Sequence, residues 1–375
     1  MSMVLNAEQC ATQAAAKKLI QARSPVLALR KLRDEKADRG FDESLWQQMV
    51  ELGWAGILIP EEYGGLGLSP GYLSVVLEEC GRTLAASPLW SSSLFATYLL
   101  VHCADSAIRR DTLAALAAGQ CQVAVALEER ARHAPYDIDT VLSAGEHSTL
   151  TGRKHFVVNG HVADKFIVSC RDAHNQLRLV LVDAAHKGVR VERNWMVDSH
   201  NSATVYFDNV TITSEQFLGS ADTVQLFDSA LDVARLGLAA EMLGSASEAF
   251  ERTLAYLKER EQFGVIIGSF QGLKHRAANM FVELELARSC VRAGFSYLDE
   301  GGSDATQLAK LASIAKMQLS QTLNLVSNES VQMHGGIGMT DEHEIGFFLK
   351  RARVLEQLLG DDVFHVDRYA ELNGY

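Results

Sequence analysis

Between residues 225 and 258 apolar side chains recur every three or four positions: Phe227, Leu231, Ala234, Leu238, Met242, Ala246, Phe250, Leu254 and Leu257. That spacing lines them along one face of an α-helix. The same period predicts three more long helical segments, roughly 270–299, 304–334 and 342–372. They are separated at Gly301-Gly302 and at Gly335-Gly336 with Gly338, where glycine interrupts a helix. Four long amphipathic segments on short connections predict an antiparallel four-helix bundle. Residues 6–118 also read as helices punctuated by turns: Asp42-Glu43-Ser44 supplies a helix start. Pro60 ends the short apolar run that begins at Leu52 and leads into Pro60-Glu61-Glu62-Tyr63-Gly64-Gly65.

From about 121 to 215 the period changes. Short apolar and β-branched runs at Val123–Leu127, Phe156–Val158, Phe166–Ser169, Leu179–Val182, Val189–Val191 and Thr204–Phe207 are divided by Gly, Asn and Asp, the pattern of a small antiparallel barrel or sandwich. The expected fold is therefore mainly α with a central β domain. Its divisions fall at 1–120 for a helical domain, 121–222 for the β domain and 223–375 for the bundle.

Composition narrows what such a chain can do. With 375 residues, 47% of them hydrophobic and 22% charged, it has the material for a large core and lacks the polarity of a disordered chain. A formal charge of −12 disfavours nucleic acid, which is gripped by clustered Lys and Arg. A few local cations or a helix N-terminus still suffice for a small anionic ligand. The six cysteines are scattered with no Cys-x-x-Cys pair and no Cys/His cluster at zinc spacing; they are expected to be buried free thiols, and no metal is expected. No basic-then-apolar leader begins the sequence and no apolar run approaches roughly 18 residues, so the expected location is the cytoplasm.

Two short blocks carry the chemistry: Arg260-Glu261-Gln262-Phe263-Gly264 and Gln332-Met333-His334-Gly335-Gly336-Ile337-Gly338. A guanidinium pairs well with a diphosphate, and glycine lets backbone approach a ligand closely. Taken singly, Arg260 is a helix-end arginine and the glycines a helix-terminating turn. They do not occur singly, however. Pro60-Glu61-Glu62-Tyr63-Gly64-Gly65, Leu150-Thr151-Gly152-Arg153-Lys154 with Asn159-Gly160 and Ala163-Asp164, Phe207-Asp208-Asn209-Val210 and the two blocks follow in order on matching predicted structure. In this the chain resembles the acyl-CoA dehydrogenase family over nearly its whole length.

That resemblance implies FAD. Arg260 would reach the flavin pyrophosphate of a neighbouring subunit, with Phe263 and Gln271 beside it, while Gln332, Gly335 and Gly336 approach its adenosine end. It also implies α,β-dehydrogenation of an acyl-CoA thioester: a carboxylate takes the α proton while the β hydrogen leaves as hydride to the flavin. The chain departs from the family at the carboxylate. Most members place a glutamate nine residues after an arginine in the final hairpin; here Arg351 leads to Gly360-Asp361-Asp362. Other members carry it one residue before an arginine on the first bundle helix, and here that pair reads Ala234-Arg235. Glu241, Asp361 and Asp362 remain as candidate bases, each with a plain structural alternative as a buried partner, a cap or a turn residue.

The β domain departs as well. The family's Thr-Glu-Pro loop reads Leu127-Glu128-Glu129-Arg130-Ala131-Arg132-His133-Ala134-Pro135, and its Trp-Ile-Thr reads Phe156-Val157-Val158, so a ring remains at Phe156 but the hydroxyl is lost at Val158. Keeping the part that reaches across an interface while losing the part that serves a chain's own flavin resembles the companion subunits of heteromeric acyl-CoA dehydrogenases, of the pimeloyl-CoA or steroid-side-chain type. The implied partners are an acyl-CoA substrate, a homologous subunit in a homo- or heterotetramer, and an electron-transfer flavoprotein as acceptor. A self-sufficient homomeric enzyme with a relocated base, a non-catalytic family member and a flavin oxidase on the same fold are the alternatives.

Overall fold

In the computed structural model residues 3–143, 148–219 and 222–375 are described. Helices open the chain: α1 (Ala7–Arg23), α2 (Val26–Asp34), α3 (Glu43–Glu51), α4 (Pro70–Thr83), a π-helical stretch at Leu89–Ala96 running into α5 (Thr97–His102), and α6 (Ala107–Ala117). Seven strands follow: β1 (Val123–Ala126), β2 (Val141–Ser143), β3 (Ser148–Val158), β4 (Lys165–Arg171), β5 (Leu177–Asp183), β6 (Val189–Trp195) and β7 (Asn201–Ile212). The rest is helical except for one small hairpin: α7 (Thr223–Glu259), β8 (Glu261–Gln262), β9 (Val265–Ile266), α8 (Gln271–Asp299), α9 (Ala305–His334), α10 (Ile345–Gln357) and α11 (Asp362–Leu372).

Local chemistry sets many of these ends. Asp42 accepts from the N–H groups of Ser44 and Leu45 at 2.8 and 3.1 Å, and Asp304 from those of Thr306 and Gln307 at 2.9 and 3.3 Å. Each satisfies first-turn donors that a helix leaves unpaired. Asn6 and Gln9 bond reciprocally at the start of α1, forming a capping box.

The chain divides into two units. One comprises Lys36–Leu73 and Ala86–Ala234. Its seven-stranded sheet runs β1-β4-β2-β3-β7-β6 with β5 on the other side of β4. Pairing is antiparallel except that β1 and β2 run parallel to β4; β1 is entered from α6 instead of through a hairpin, so nothing forces it antiparallel. Leu150, Phe166, Val168, Val180, Val205 and Phe207 fill the sheet's core. Sequence markers prove to be fold hardware here. A side chain on Gly152 would lie 2.3 Å from Thr140 Oγ1. Asn159 turns the chain after β3 at φ 57° and donates to Ser87 O and Ser91 Oγ.

The other unit comprises the chain up to Glu35, Ser74–Ala85 and Arg235–Tyr375. In it α9 packs against α8, α10 and α11. α4 and α7 touch backbone to backbone: a Cβ on Gly81 would lie 1.9 Å from Glu241 O, and one on Gly244 1.8 Å from Glu78 O.

Two features depart from the periodicity reading. The predicted segment at 342–372 is two helices, because the chain breaks after Gln357 with Leu359 at φ 56° and Gly360 at φ 105°. The stripe on α7 is also incomplete: from Ala230 to Ser247 every residue is buried, the signature of a helix enclosed on all faces. Charges inside that run, Arg235 and Glu241 among them, therefore require partners. Among the cysteines, Cys10 is exposed and Cys290 partly so, contrary to expectation; the other four are buried, and burial pushes the Cys121 thiol up to about 11 and that of Cys170 to about 12. Among the described residues no helix is long and apolar enough to cross a membrane, and no cluster of His, Cys, Asp and Glu could hold a metal.

Candidate functional site

At the end of α7 the chain turns back through β8 and β9, with Phe263 and Gly264 at the tip at φ 55° and 76°. Both signs positive is the geometry of a tight hairpin turn that favours Asn and Gly. For a bulky residue it costs on the order of 1–3 kcal/mol. Phe263 accepts that strain while 91% exposed, its ring edge-on to Phe270 at 6.2 Å between centroids. Arg260 sits at the hairpin's base: its N–H donates to Tyr256 O at 2.9 Å and its carbonyl accepts from Ile267 N at 2.8 Å. The backbone is fixed and the side chain is exposed. Gln271 opens α8, whose N-terminus no side chain caps, leaving first-turn N–H groups for an anion.

In the same unit Gln332 is exposed on the last turn of α9. Its carbonyl accepts from Gly335 N–H, and Gly335 takes φ 66°, ψ −142°, a backbone that a side chain would strain. No atom lies within 4 Å of a Cβ built on Gly335 or Gly336. These glycines are thus not required by packing within the chain. They leave an open cradle beside the exposed Ile337 and Met339.

The β unit presents a different picture. Phe156 sits in a bulge of β3 at φ 51° and is exposed, whereas Val158 is partly buried and pairs with Ser202 on β7. The loop after β1 is tied to itself. Glu129 accepts from buried Lys154 Nζ at 2.6 Å and from Asp139 N at 2.7 Å, and Glu128 bonds His133. Arg130 spans Asp137 and Asp139 at 2.7–2.8 Å. Burial holds the Lys154 ammonium below its usual range.

At Gly360 a side chain would be strained. A Cβ there would lie 2.4 Å from Phe364 Cδ1 and 3.0 Å from His365 Nε2, on a backbone at φ 105°. Buried donors hold that backbone. Lys316, fully buried, donates to Gly360 O at 2.8 Å, Glu356 O at 3.1 Å and Ser320 Oγ at 3.3 Å. Arg235 Nε donates to Leu359 O at 3.2 Å, with its guanidinium 5.6 Å over the Phe364 ring. Burial and the Arg235 charge push the Lys316 ammonium down to about 7. The three carboxylates raised as possible bases are all engaged. Glu241 Oε1 accepts from Arg351 Nε at 2.9 Å and Nη2 at 2.6 Å, both residues buried. Asp361 caps α11, accepting from Phe364 N at 2.9 Å. Asp362 accepts from Val363 N at 3.0 Å and Gln321 Nε2 at 3.5 Å.

Comparison with known proteins agrees with the motifs. The family descriptions acyl-CoA dehydrogenase N-terminal domain, middle domain and C-terminal domain match residues 6–120, 126–210 and 224–371. The acyl-CoA dehydrogenase IpdE2 of Mycolicibacterium smegmatis is 32% identical, over 87% of this chain and 86% of its own. The chain belongs to the acyl-CoA dehydrogenase family. Among solved structures, a variant of the Tcur3481-Tcur3483 steroid ACAD is similar at TM-score 0.87 and 30% identity, covering 98% of this chain and 97% of that one. The ChsE4-ChsE5 complex of Mycobacterium tuberculosis shares the fold at TM-score 0.91 and 22% identity over 100% of both chains.

For an acyl-CoA dehydrogenase, this chain thus gathers Arg260, Phe263, Gln271, Gln332, Gly335 and Gly336 on the helical unit, while Phe156 and Val158 lie on the β unit. Sequence reasoning missed the cage of Lys316, Arg235 and Phe364. One signal was available: Lys316 falls four residues after Ala312 and three before Leu319, on the buried face of α9.

Proposed function

We propose that this chain is the companion subunit of a heteromeric acyl-CoA dehydrogenase, lending a diphosphate and adenosine clamp to a flavin seated mainly in a homologous partner. The observation that carries this reading is Gly360, a position where a side chain is strained and whose backbone is held by Lys316, in a chain that keeps the residues of the proposed clamp. The residues present fit FAD on the clamp side. The cradle at Gly335-Gly336 is open where a ligand's backbone approach is needed, and Arg260 with the uncapped α8 N-terminus supplies positive potential for a diphosphate. On the β side the fit is poorer, since Val158 offers no hydroxyl and the loop after β1 is occupied by its own ion pairs.

When bound, FAD supplies hydride acceptance from the β carbon of the acyl group. The α-proton base comes from the partner in this reading, because Glu241 is spent on Arg351 and Asp361 on its helix. The likeness to a protein named as a steroid ACAD supports a bulky, steroid-derived acyl-CoA as substrate, and family membership supports an electron-transfer flavoprotein as acceptor. Arg260→Ala should weaken FAD retention by the assembled complex roughly 10–100-fold, the worth of a charge-assisted bond to a diphosphate. Equilibrium dialysis measures it; unchanged retention would remove Arg260 from the clamp.

A further inference from the structure

The two clamp segments come from different helices, and one aromatic stack joins them. The Tyr256 ring lies on His334 at 4.4 Å between centroids and 27°, and His334 meets His343 at 4.6 Å. Tyr256 Oη also donates to His334 O at 3.3 Å. Tyr256 is in the last turn of α7, and its carbonyl receives the N–H of Arg260. His334 ends α9 and His343 stands before α10, so their contact closes the neck of the loop that carries Gly335, Gly336 and Ile337.

Hydrogen bonding places a proton on Nδ1 of His334 and leaves Nδ1 of His343 without one. His334 Nδ1 donates to Ser330 O at 2.7 Å, and His343 Nδ1 accepts from Ile345 N–H at 3.1 Å. A proton on His343 Nδ1 would lose that bond and set a positive charge at the N-terminus of α10, against the helix dipole. We infer that the Tyr256–His334–His343 stack is a positioning device that holds the Arg260 hairpin and the Gly335-Gly336 cradle together while both imidazoles are neutral, so that acid loosens the grip on the flavin nucleotide. This inference rests on the clamp reading above.

The charged groups around the stack oppose one another. Arg252 on α7 repels an imidazolium at His343; Glu344 attracts one, but it is engaged by Arg252, which also binds Glu248 at 2.9 Å. Burial is the largest influence and depresses both imidazoles; the Ser330 hydrogen bond raises His334 and Glu344 raises His343, each only in part. For a histidine held below its free value, the favourable term is present above the free pKa and declines as pH falls.

The test is FAD retention by the assembled complex at pH 7.5 and 5.5. Wild type should lose roughly three- to tenfold in affinity on acidification, the worth of the Ile345–His343 hydrogen bond that a proton on His343 Nδ1 removes. His343→Asn, whose amide oxygen can still accept from Ile345 N–H but does not titrate, should show a flat profile. His343→Leu should be weak at both pH values. Proton NMR of the chain alone gives an independent readout: the His343 ring should titrate below its free value. A His343→Asn complex that keeps the wild-type acid response, or a His343 ring that titrates normally, would overturn the inference. If Arg260→Ala also leaves FAD retention intact, the clamp reading itself is what has failed.

Discussion

Gly360→Glu is expected to destabilise the chain by about 2–6 kcal/mol and to leave acyl-CoA oxidation no faster. Two separable effects add. A side chain at φ 105° strains the backbone by about 1–3 kcal/mol, and a Cβ placed 2.4 Å from Phe364 Cδ1 overpacks a filled site by about another 1–3 kcal/mol. Neither depends on the carboxylate, so Gly360→Ala should cost nearly as much as Gly360→Glu. Phe364→Ala should relieve part of the loss in the Gly360→Ala background, a coupling that a double-mutant cycle reads directly. Urea unfolding provides the free energies. A Gly360→Glu chain of normal stability that oxidises acyl-CoA by itself would show that the position had been an empty base site instead of a closed one.

Glu241→Gln is expected to cost about 3 kcal/mol of stability, with turnover of the assembled complex preserved at a temperature where the variant is folded. Glu241 accepts two bonds from Arg351 inside the buried run of α7. Removing its charge leaves a buried guanidinium without its counter-ion, and breaking such a pair from one side typically costs about 3–5 kcal/mol. Gln keeps one acceptor oxygen, which places the loss at the lower end. Arg351→Met should be comparably harmful, since it strands the carboxylate. If Glu241→Gln instead removed turnover by 10²-fold or more, the effect of deleting a general base, while stability was unchanged, Glu241 would be the base and the chain self-sufficient.

The long helices could be read from the sequence because their apolar spacing is a local signal, and the proposed clamp rests on two short blocks that are equally local. In the structure Gly335 and Gly336 have open space where a side chain would be, and Arg260 stands at the base of a hairpin. The break at Leu359-Gly360 was not legible, since residues on both sides continue a helical period and one glycine is a weak stop. Nor was the cage around it. Gly360 meets Lys316 across 44 residues, Leu359 meets Arg235 across 124, and Glu241 meets Arg351 across 110. Periodicity carries no information about which buried charges will find each other at such separations. What it does give is their presence on a buried face, where a charge requires a partner.

The division of one flavin site between two chains is tested most directly by the flavin content and turnover of this chain, purified alone and after co-expression with a family member that carries the catalytic glutamate. Alone, it should hold well under one FAD per chain and oxidise no acyl-CoA. Together, the pair should retain FAD and reduce it with substrate. One FAD per chain with turnover by this chain alone would contradict the account.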